Sequence, residues 1–78
     1  MNKEEFEREW KKAYKRRNGI VHAYDNNNSF INANKYTINE VYEEDYDYYY
    51  VNVYLYYNNV NIARIDLSHI KEVIWKWT

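Results

Sequence analysis

The sequence has no cysteine and only one glycine, and these two shortages exclude several kinds of functional site. Without cysteine the chain can form neither a disulfide framework nor a metal site built on thiolates. A single glycine cannot build the glycine-rich loop that holds phosphate, and the sequence contains no nucleophile elbow and no calcium-binding loop. We therefore expect a protein that is not an enzyme and that needs no metal and no cofactor.

Long apolar segments are also missing. No stretch approaches the roughly 18 apolar residues that a transmembrane helix requires, and the charged segment from Met1 to Glu5 lacks the apolar run of a signal peptide. The 78 residues leave room for one small core, because a chain of this size buries only about 60–65% of its unfolded surface. These features predict a single domain over residues 1–78, in the cytoplasm and with no membrane partner.

Tyrosine is the abundant residue, with 11 copies against two of phenylalanine. Large aromatic rings supply burial area that the few aliphatic side chains do not, so the chain should fold. The preference for tyrosine over phenylalanine indicates that many hydroxyl groups reach water or a partner. The general richness in asparagine, lysine, isoleucine and tyrosine is typical of AT-rich genomes, and we expect a source among low-GC bacteria, their phages or their plasmids.

Charge is unevenly distributed along the chain, although the net charge is only −1. Residues 1–17 carry seven basic and four acidic side chains, whereas residues 40–47 carry five acidic side chains and no basic one. Such an uneven distribution selects binding partners more than it selects a fold.

The first 17 residues have the pattern of an amphipathic helix over about 3–17. Asn2 takes the N-cap position, with Glu5 three residues later, and Asn18-Gly19 supplies a stop signal. The apolar residues that recur at helical spacing are Phe6, Trp10, Ala13 and Tyr14.

From about residue 20 to residue 78 the pattern changes to the alternation typical of strands. The predicted strands include Ile20–Tyr24, Tyr36–Tyr42 and Tyr48–Tyr57, and Phe30–Ala33 is either a short strand or an irregular lead-in. The segment from Ser68 onward fits either a helix or a strand, and its β-branched and aromatic residues favour the strand. The predicted fold is α+β, with an N-terminal amphipathic helix packed on an antiparallel sheet of four or five strands.

The register of the last hairpin can also be predicted. A two-residue loop at Asn58-Asn59 would set Arg64 opposite Val53, on the core face of the sheet. A longer loop or a β-bulge instead pairs Val53 with Ile65 and moves Arg64 opposite Tyr54. We expect the second arrangement because it keeps the charge out of the core.

An acidic and tyrosine-rich surface is the predicted partner-binding site. Neighbouring carboxylates beside tyrosines can imitate the phosphates and stacked bases of nucleic acid and so occupy a basic groove. Tyrosine also brings a large contact area at a low cost in rotamer entropy. The predicted residues are Glu40, Glu43, Glu44, Asp45, Tyr46, Asp47, Tyr48, Tyr50, Tyr54 and Tyr56. The alternatives are that the acidic run is only a solvated turn, and that the helix covers the tyrosine face.

A basic face of the helix is the second candidate, as a weak and salt-sensitive binding site for nucleic acid. Its residues are Arg8, Lys11, Lys12, Lys15 and Arg16. Neighbouring glutamates on the same helix, and a pI of about 6.1, argue instead for a solvated helix face. His22 and His69 are expected to be half-buried sheet residues, and no pattern in the sequence brings them together as an acid–base pair.

These features predict a small non-catalytic module that inhibits a basic, nucleic-acid-handling protein by occupying its binding surface. In size, acidic and tyrosine-rich surface and lack of catalytic motifs, the chain is similar to phage anti-defence proteins such as anti-CRISPRs, which implies stoichiometric inhibition. The alternative is a nucleic-acid-binding accessory protein that uses the basic helix face. A homodimer is also possible, because open sheet edges favour pairing.

Overall fold

The computed structural model describes residues 1–16, 21–25 and 30–74. Its elements are helix α1 (Lys3–Arg16), strands β1 (Val21–Asp25), β2 (Phe30–Ala33), β3 (Lys35–Glu43), β4 (Tyr48–Tyr57), β5 (Val60–Asp66) and β6 (Ile70–Ile74), and 3₁₀ turns at Glu44–Tyr46 and Leu67–His69. Every pair of adjacent strands is antiparallel. The predicted α+β class, with an N-terminal helix packed on antiparallel sheet, is confirmed.

The strands form two three-stranded sheets, in the orders β2–β1–β6 and β3–β4–β5. Only Asn34 separates β2 from β3, and only the turn Leu67–His69 separates β5 from β6. The chain therefore passes from one sheet to the other at two corners. The described residues hold six strands in two sheets, where the sequence predicted one sheet of four or five strands, because both Phe30–Ala33 and the segment after His69 are strands.

The ambiguous carboxyl-terminal segment is a strand over Ile70–Ile74, where it pairs with β1. Residues 75–78, into which the predicted strand continued, lie outside the described part of the chain. The predicted helix stop at residues 18–19 lies outside it as well. The sequence also predicts a polar turn over residues 25–29, of which Asp25 is the last residue of β1 and residues 26–29 lie outside the described part.

The corner at Asn34 is held by a pair of reciprocal side-chain hydrogen bonds. Asn34 Nδ2 donates to Asn58 Oδ1 at 3.0 Å, and the Asn58 backbone N–H donates to Asn34 Oδ1 at 3.1 Å. The Asn34 backbone N–H donates to the carbonyl of Tyr56 at 2.9 Å. These bonds fix the corner against the end of the β4–β5 hairpin.

The second corner is held by Asp66. Its carboxylate accepts hydrogen bonds from the Ser68 hydroxyl at 2.7 Å and from the Ser68 backbone N–H at 2.9 Å. Both bonds favour the charged carboxylate and therefore lower the pKa of Asp66. The bond from the Ser68 hydroxyl has the larger effect and the bond from the Ser68 N–H the smaller one.

The β4–β5 hairpin combines a two-residue turn with a bulge. Asn58 and Asn59 have φ values of 50° and 69°, and two positive φ values are the mark of a type I′ turn. The register then shifts between Leu55 and Tyr56, and Ile62 on β5 is the extra residue. The bulge produces the predicted pairing, which is Leu55 with Ala63, Val53 with Ile65, Tyr54 with Arg64 and Asn52 with Asp66.

Helix α1 begins as the sequence predicts and buries an aromatic stripe. The Glu5 backbone N–H donates to Asn2 Oδ1 at 2.8 Å, which satisfies one of the unpaired donors of the first turn. Phe6 is completely buried and Trp10 nearly so, whereas Tyr14, predicted to share their stripe, is 45% exposed. The buried core consists of Phe6, Trp10, Ala13, Ala33, Val51, Val53, Leu55, Leu67, Ile70 and Val73.

Helix α1 packs most closely on β6 and β1, and its aromatic rings reach Tyr36 on the core face of β3, not the face that carries the outer tyrosines. The Tyr36 ring meets Phe6 edge to face at 5.0 Å between centroids and Trp10 at 4.8 Å. Tyr36 lies opposite Leu55 in the ladder, so both residues share the core face. Because side chains alternate along a strand, the tyrosines at positions 48, 50, 54 and 56 lie on the opposite face, away from α1.

We predict that Asn2→Ala lowers the free energy of unfolding by about 1 kcal/mol, because the helix loses its N-cap acceptor. Asn2→Ser keeps a side-chain acceptor and should be close to the wild type. Urea denaturation followed by circular dichroism measures both variants. Equal stability of Asn2→Ala and the wild type would show that the cap contributes nothing.

Candidate docking site at the hairpin tip

The β3–β4 hairpin is longer than the sheet that supports it. Strand β5 pairs with β4 only over Asn52–Tyr57, so the part of β4 before Asn52 has β3 as its one ladder partner among the described strands. At about 3.3 Å per residue, the ten residues of β4 span roughly 33 Å, and the molecule measures 44 × 22 × 22 Å. We call residues 42–50, at the far end of this hairpin, the tip.

The tip concentrates carboxylates and exposed aromatic rings. Tyr46 is 83% exposed, and three further tyrosines, at positions 42, 48 and 49, are each more than half exposed. The exposed carboxylates of the tip belong to Glu43, Glu44, Asp45 and Asp47. The structure therefore brings together the predicted site residues from Glu43 to Tyr50, with Tyr50 partly exposed.

Tyr42 and Tyr49 belong to the tip although the sequence analysis left them out. They lie opposite each other on the same face of the sheet as the core residues. Because side chains alternate between the two faces of a strand, the sequence predicted that these two rings would be buried. The core ends before them, because the preceding pair on that face is Glu40 and Val51. A charged residue at a core-facing position was the signal in the sequence that the buried stretch ends there.

The tip is an ordered structure in which one carboxylate already has a partner. Glu44–Tyr46 forms a 3₁₀ turn, and Asp47 follows it with φ 48° and ψ 47°, a left-handed conformation that aspartate tolerates better than most residues. The Tyr42 hydroxyl donates a hydrogen bond to the Asp47 carboxylate. That bond holds the phenolic proton and raises the pKa of Tyr42.

Two tyrosines form an aromatic pair on the outer face of the tip. The Tyr48 and Tyr50 rings lie 5.5 Å apart between centroids, with planes inclined by 33°. Adjacent aromatic rings at this separation support each other and present a broad contact surface. Three of the tip carboxylates, Glu43, Glu44 and Asp45, lie in the segment that precedes this pair.

Glu40, which was predicted to share the site, is engaged at the base of the hairpin. Its carboxylate lies 3.2 Å from Lys3 Nζ. This contact raises the pKa of Lys3, mainly through the hydrogen bond and to a smaller extent through the attraction between the two charges. A pair this exposed contributes little to stability. It places the amino-terminal end of α1 beside β3.

Tyr54 and Tyr56 lie on the outer face as predicted, but in a basic neighbourhood far from the tip. Arg64 is opposite Tyr54, and Lys35 Nζ lies 5.7 Å from the centroid of the Tyr56 ring. Six residues of extended strand, about 20 Å, separate Tyr56 from Tyr50. Both rings are partly buried. The structure therefore does not bring these two tyrosines together with the carboxylates.

The predicted basic face of α1 is partly neutralised by its own glutamates. Arg8 and Lys12 each lie 3.7 Å from Glu9 Oε1. Lys11 and Lys15 are exposed. The side chain of Arg16, like that of His22, lies outside what the structure describes. His69 is exposed in the turn between β5 and β6, not half-buried as the sequence suggested.

Within residues 1–16, 21–25 and 30–74, no three histidine, aspartate or glutamate side chains lie close enough together to hold a metal ion. Over the same residues, no helix is long and apolar enough to cross a membrane.

Comparison with known proteins identifies no relative. No protein-family model, curated protein or solved structure matches the chain. The interpretation of the tip therefore rests on the exposure, charge and contacts described above.

We predict that Asp47→Asn returns the pKa of Tyr42 toward its ordinary value of 10.0, because the charged acceptor is lost. A pKa raised by folding means that the bond stabilises the folded chain while Tyr42 is protonated. That stabilisation is lost as the pH rises above 10.0 and through the folded-state pKa. The titration of Tyr42 can be followed by NMR, with Tyr42→Phe to assign its signal. An unchanged Tyr42 titration in Asp47→Asn would contradict the bond.

Proposed function

We propose that this chain is a non-catalytic binding module whose tip docks into a basic, nucleic-acid-binding surface of another protein and blocks it. One observation supports this most directly. Four exposed carboxylates within five consecutive residues stand at the end of a projecting hairpin, beside four tyrosines that are more than half exposed. This combination suits a groove lined by arginine and lysine.

The carboxylates would supply charge-assisted hydrogen bonds. Arginine binds a carboxylate with two parallel bonds, much as it binds a phosphate, so a row of carboxylates competes with a nucleic-acid backbone for the same side chains. Opposite charges on two surfaces also raise the rate of encounter. Glu43, Glu44 and Asp45 are the residues for this role, because Asp47 already accepts the hydroxyl of Tyr42.

The tyrosines would supply contact area at a low entropic cost. A tyrosine side chain is rigid and has a polar end, which is why it dominates many protein-binding surfaces. In the tip, Tyr42, Tyr48 and Tyr49 stand on paired strands and Tyr46 ends the 3₁₀ turn between them. The bond between Tyr42 and Asp47 closes this loop. A preorganised loop loses less freedom on binding than a flexible one, so more of the contact energy remains as affinity.

A chain that acts by occupying a groove is a stoichiometric inhibitor. The partner would be a basic protein that handles nucleic acid, and inhibition would take place in the cytoplasm, as phage anti-defence proteins act. On this proposal the rest of the molecule is a scaffold that projects the tip.

Neutralising the carboxylates of the tip should weaken capture of the partner. The tip variant carries Glu43→Gln, Glu44→Gln and Asp45→Asn, and the control carries Glu4→Gln, Glu9→Gln and Glu72→Gln, which removes the same charge elsewhere. Tagged proteins are used to capture partners from a nuclease-treated lysate of a low-GC bacterium. The wild type and the control should retain the same basic proteins, and the tip variant should bind them at least about tenfold more weakly.

The mechanism is then tested on a purified captured protein. One equivalent of the wild-type chain should displace nucleic acid from it, whereas the tip variant should not. Circular dichroism and urea denaturation confirm that all three chains fold alike. Equal capture by the tip variant, or binding that leaves nucleic acid in place, would refute the proposed function.

A further inference from the structure

A basic and aromatic groove lies at the end of the molecule opposite to the tip. It runs between the carboxyl-terminal half of α1 and the corner at Asn34, and has a volume of about 300 Å³. Three lysines, at positions 11, 15 and 35, line it together with Trp10, Tyr14 and Tyr36. Nothing in the proposed function uses this groove.

The groove has a single sign of charge. All three of its lysines are exposed, and no carboxylate is among its described lining residues. The neighbouring surface of α1 differs, because there Arg8 and Lys12 share the carboxylate of Glu9. Glu7 is a carboxylate that lies with Lys11 and Lys15 on this adjacent surface, and the groove keeps an excess of positive charge. Such an excess attracts anionic ligands, and the lysine ammonium is a common ligand of phosphate.

An exposed ring accompanies this charge. Tyr14 is 45% exposed although Ala13 beside it is buried, because at 100° per residue Tyr14 lies at the edge of the apolar stripe. Trp10 and Tyr36 beside it are fixed by edge contacts with each other and with Phe6. The Tyr14 ring is thus available to stack on a planar ligand, next to a rigid aromatic wall.

The groove is formed before any ligand binds. The corner on one side is held by the reciprocal bonds between Asn34 and Asn58. The helix on the other side is held by the buried rings of Phe6 and Trp10. The Asn34 amide is occupied by Asn58, so Asn34 forms part of the wall and is not free to bind a ligand. The groups that remain for binding are Lys11, Lys15 and Tyr14.

We propose that this groove binds single-stranded nucleic acid, with one nucleotide in it, its base stacked on Tyr14 and adjacent phosphates held by Lys11 and Lys15. Lys35 borders the groove, but its ammonium lies beside the Tyr56 ring on the outer face of β3. Lysines that follow a backbone beside a ring on which a base stacks are the usual means of binding single strands. A volume near 300 Å³ is at the lower end for a small-ligand site and suits a single nucleotide. An acidic peptide would satisfy the lysines but would leave Tyr14 unused.

The acidic tip does not oppose this binding. Lys35 and Glu43 are the two ends of β3, so about 26 Å of extended strand separates them. Exposed charges are largely screened beyond a Debye length of about 8–10 Å at ordinary ionic strength. The net charge of −1 therefore conceals two separate poles, and the groove makes a second function possible beside the one proposed for the tip.

The groove is tested by fluorescence anisotropy with a labelled oligothymidylate at low and at moderate salt. The groove variant is Lys11→Gln with Lys15→Gln, and the control is Arg8→Gln with Lys12→Gln, which removes the same charge from the adjacent helix surface. We expect the groove variant to bind at least about tenfold more weakly. A plot of the logarithm of its binding constant against the logarithm of the salt concentration should have a slope shallower by about 1.4, because two phosphate contacts are lost. The control should change the affinity by no more than about twofold.

Stacking is tested at Tyr14. Tyr14→Leu should weaken binding by about tenfold, whereas Tyr14→Phe should keep the wild-type affinity because it keeps the ring. A bromodeoxyuridine-containing oligonucleotide should also crosslink to Tyr14 in the unaltered chain, which requires no variant to fold.

Several outcomes would overturn the proposal. These are an absence of binding at low salt, equal losses in the groove variant and the control, full affinity in Tyr14→Leu without crosslinking, and equal competition by polyglutamate. The tip variant described above should bind oligothymidylate normally. Failure of the groove and failure of the tip are therefore distinguishable.

Discussion

The burial of Phe6 against Tyr36 and Trp10 is the contact on which the arrangement of the molecule depends. Phe6 is completely buried, and the three rings join α1 to the core face of β3. With so few aliphatic residues in the chain, these rings provide much of the apolar area removed from water. Their position decides which face of the β3–β4–β5 sheet is covered and leaves the outer tyrosines to the surface.

The small size of this core produces the tip. The core accommodates β4 from Val51 to Leu55, but β3 and β4 continue pairing past the point where α1 and β5 can cover them. Residues beyond that point can be polar without a desolvation cost, which is why carboxylates and tyrosine hydroxyls are tolerated there. The candidate docking site is thus a consequence of a hairpin that is longer than its core.

The two ends of the molecule differ in charge for the same structural reason. The long β3–β4 hairpin separates Lys35 at one end of β3 from Glu43 at the other. Helix α1 places Lys11 and Lys15 at the same end as Lys35. Charges separated in this way act independently in salt. A near-neutral composition therefore gives an acidic aromatic end and a basic aromatic end.

Local patterns determined much of this fold. The cap at Asn2, the buried stripe of Phe6 and Trp10, the bounds of β4 and the register of Val53 with Ile65 all follow from side-chain periodicity and from the cost of burying charge. Tertiary structure alone decided where the strands bend, which face α1 covers, and which tyrosines are exposed. The bends at Asn34 and at Leu67–His69 depend on hydrogen bonds whose partners are known only in the folded chain. The exposure of Tyr14, Tyr42 and Tyr49 depends on where the core ends, because burial is a property of the neighbours that folding brings together and not of the alternation of one strand or helix.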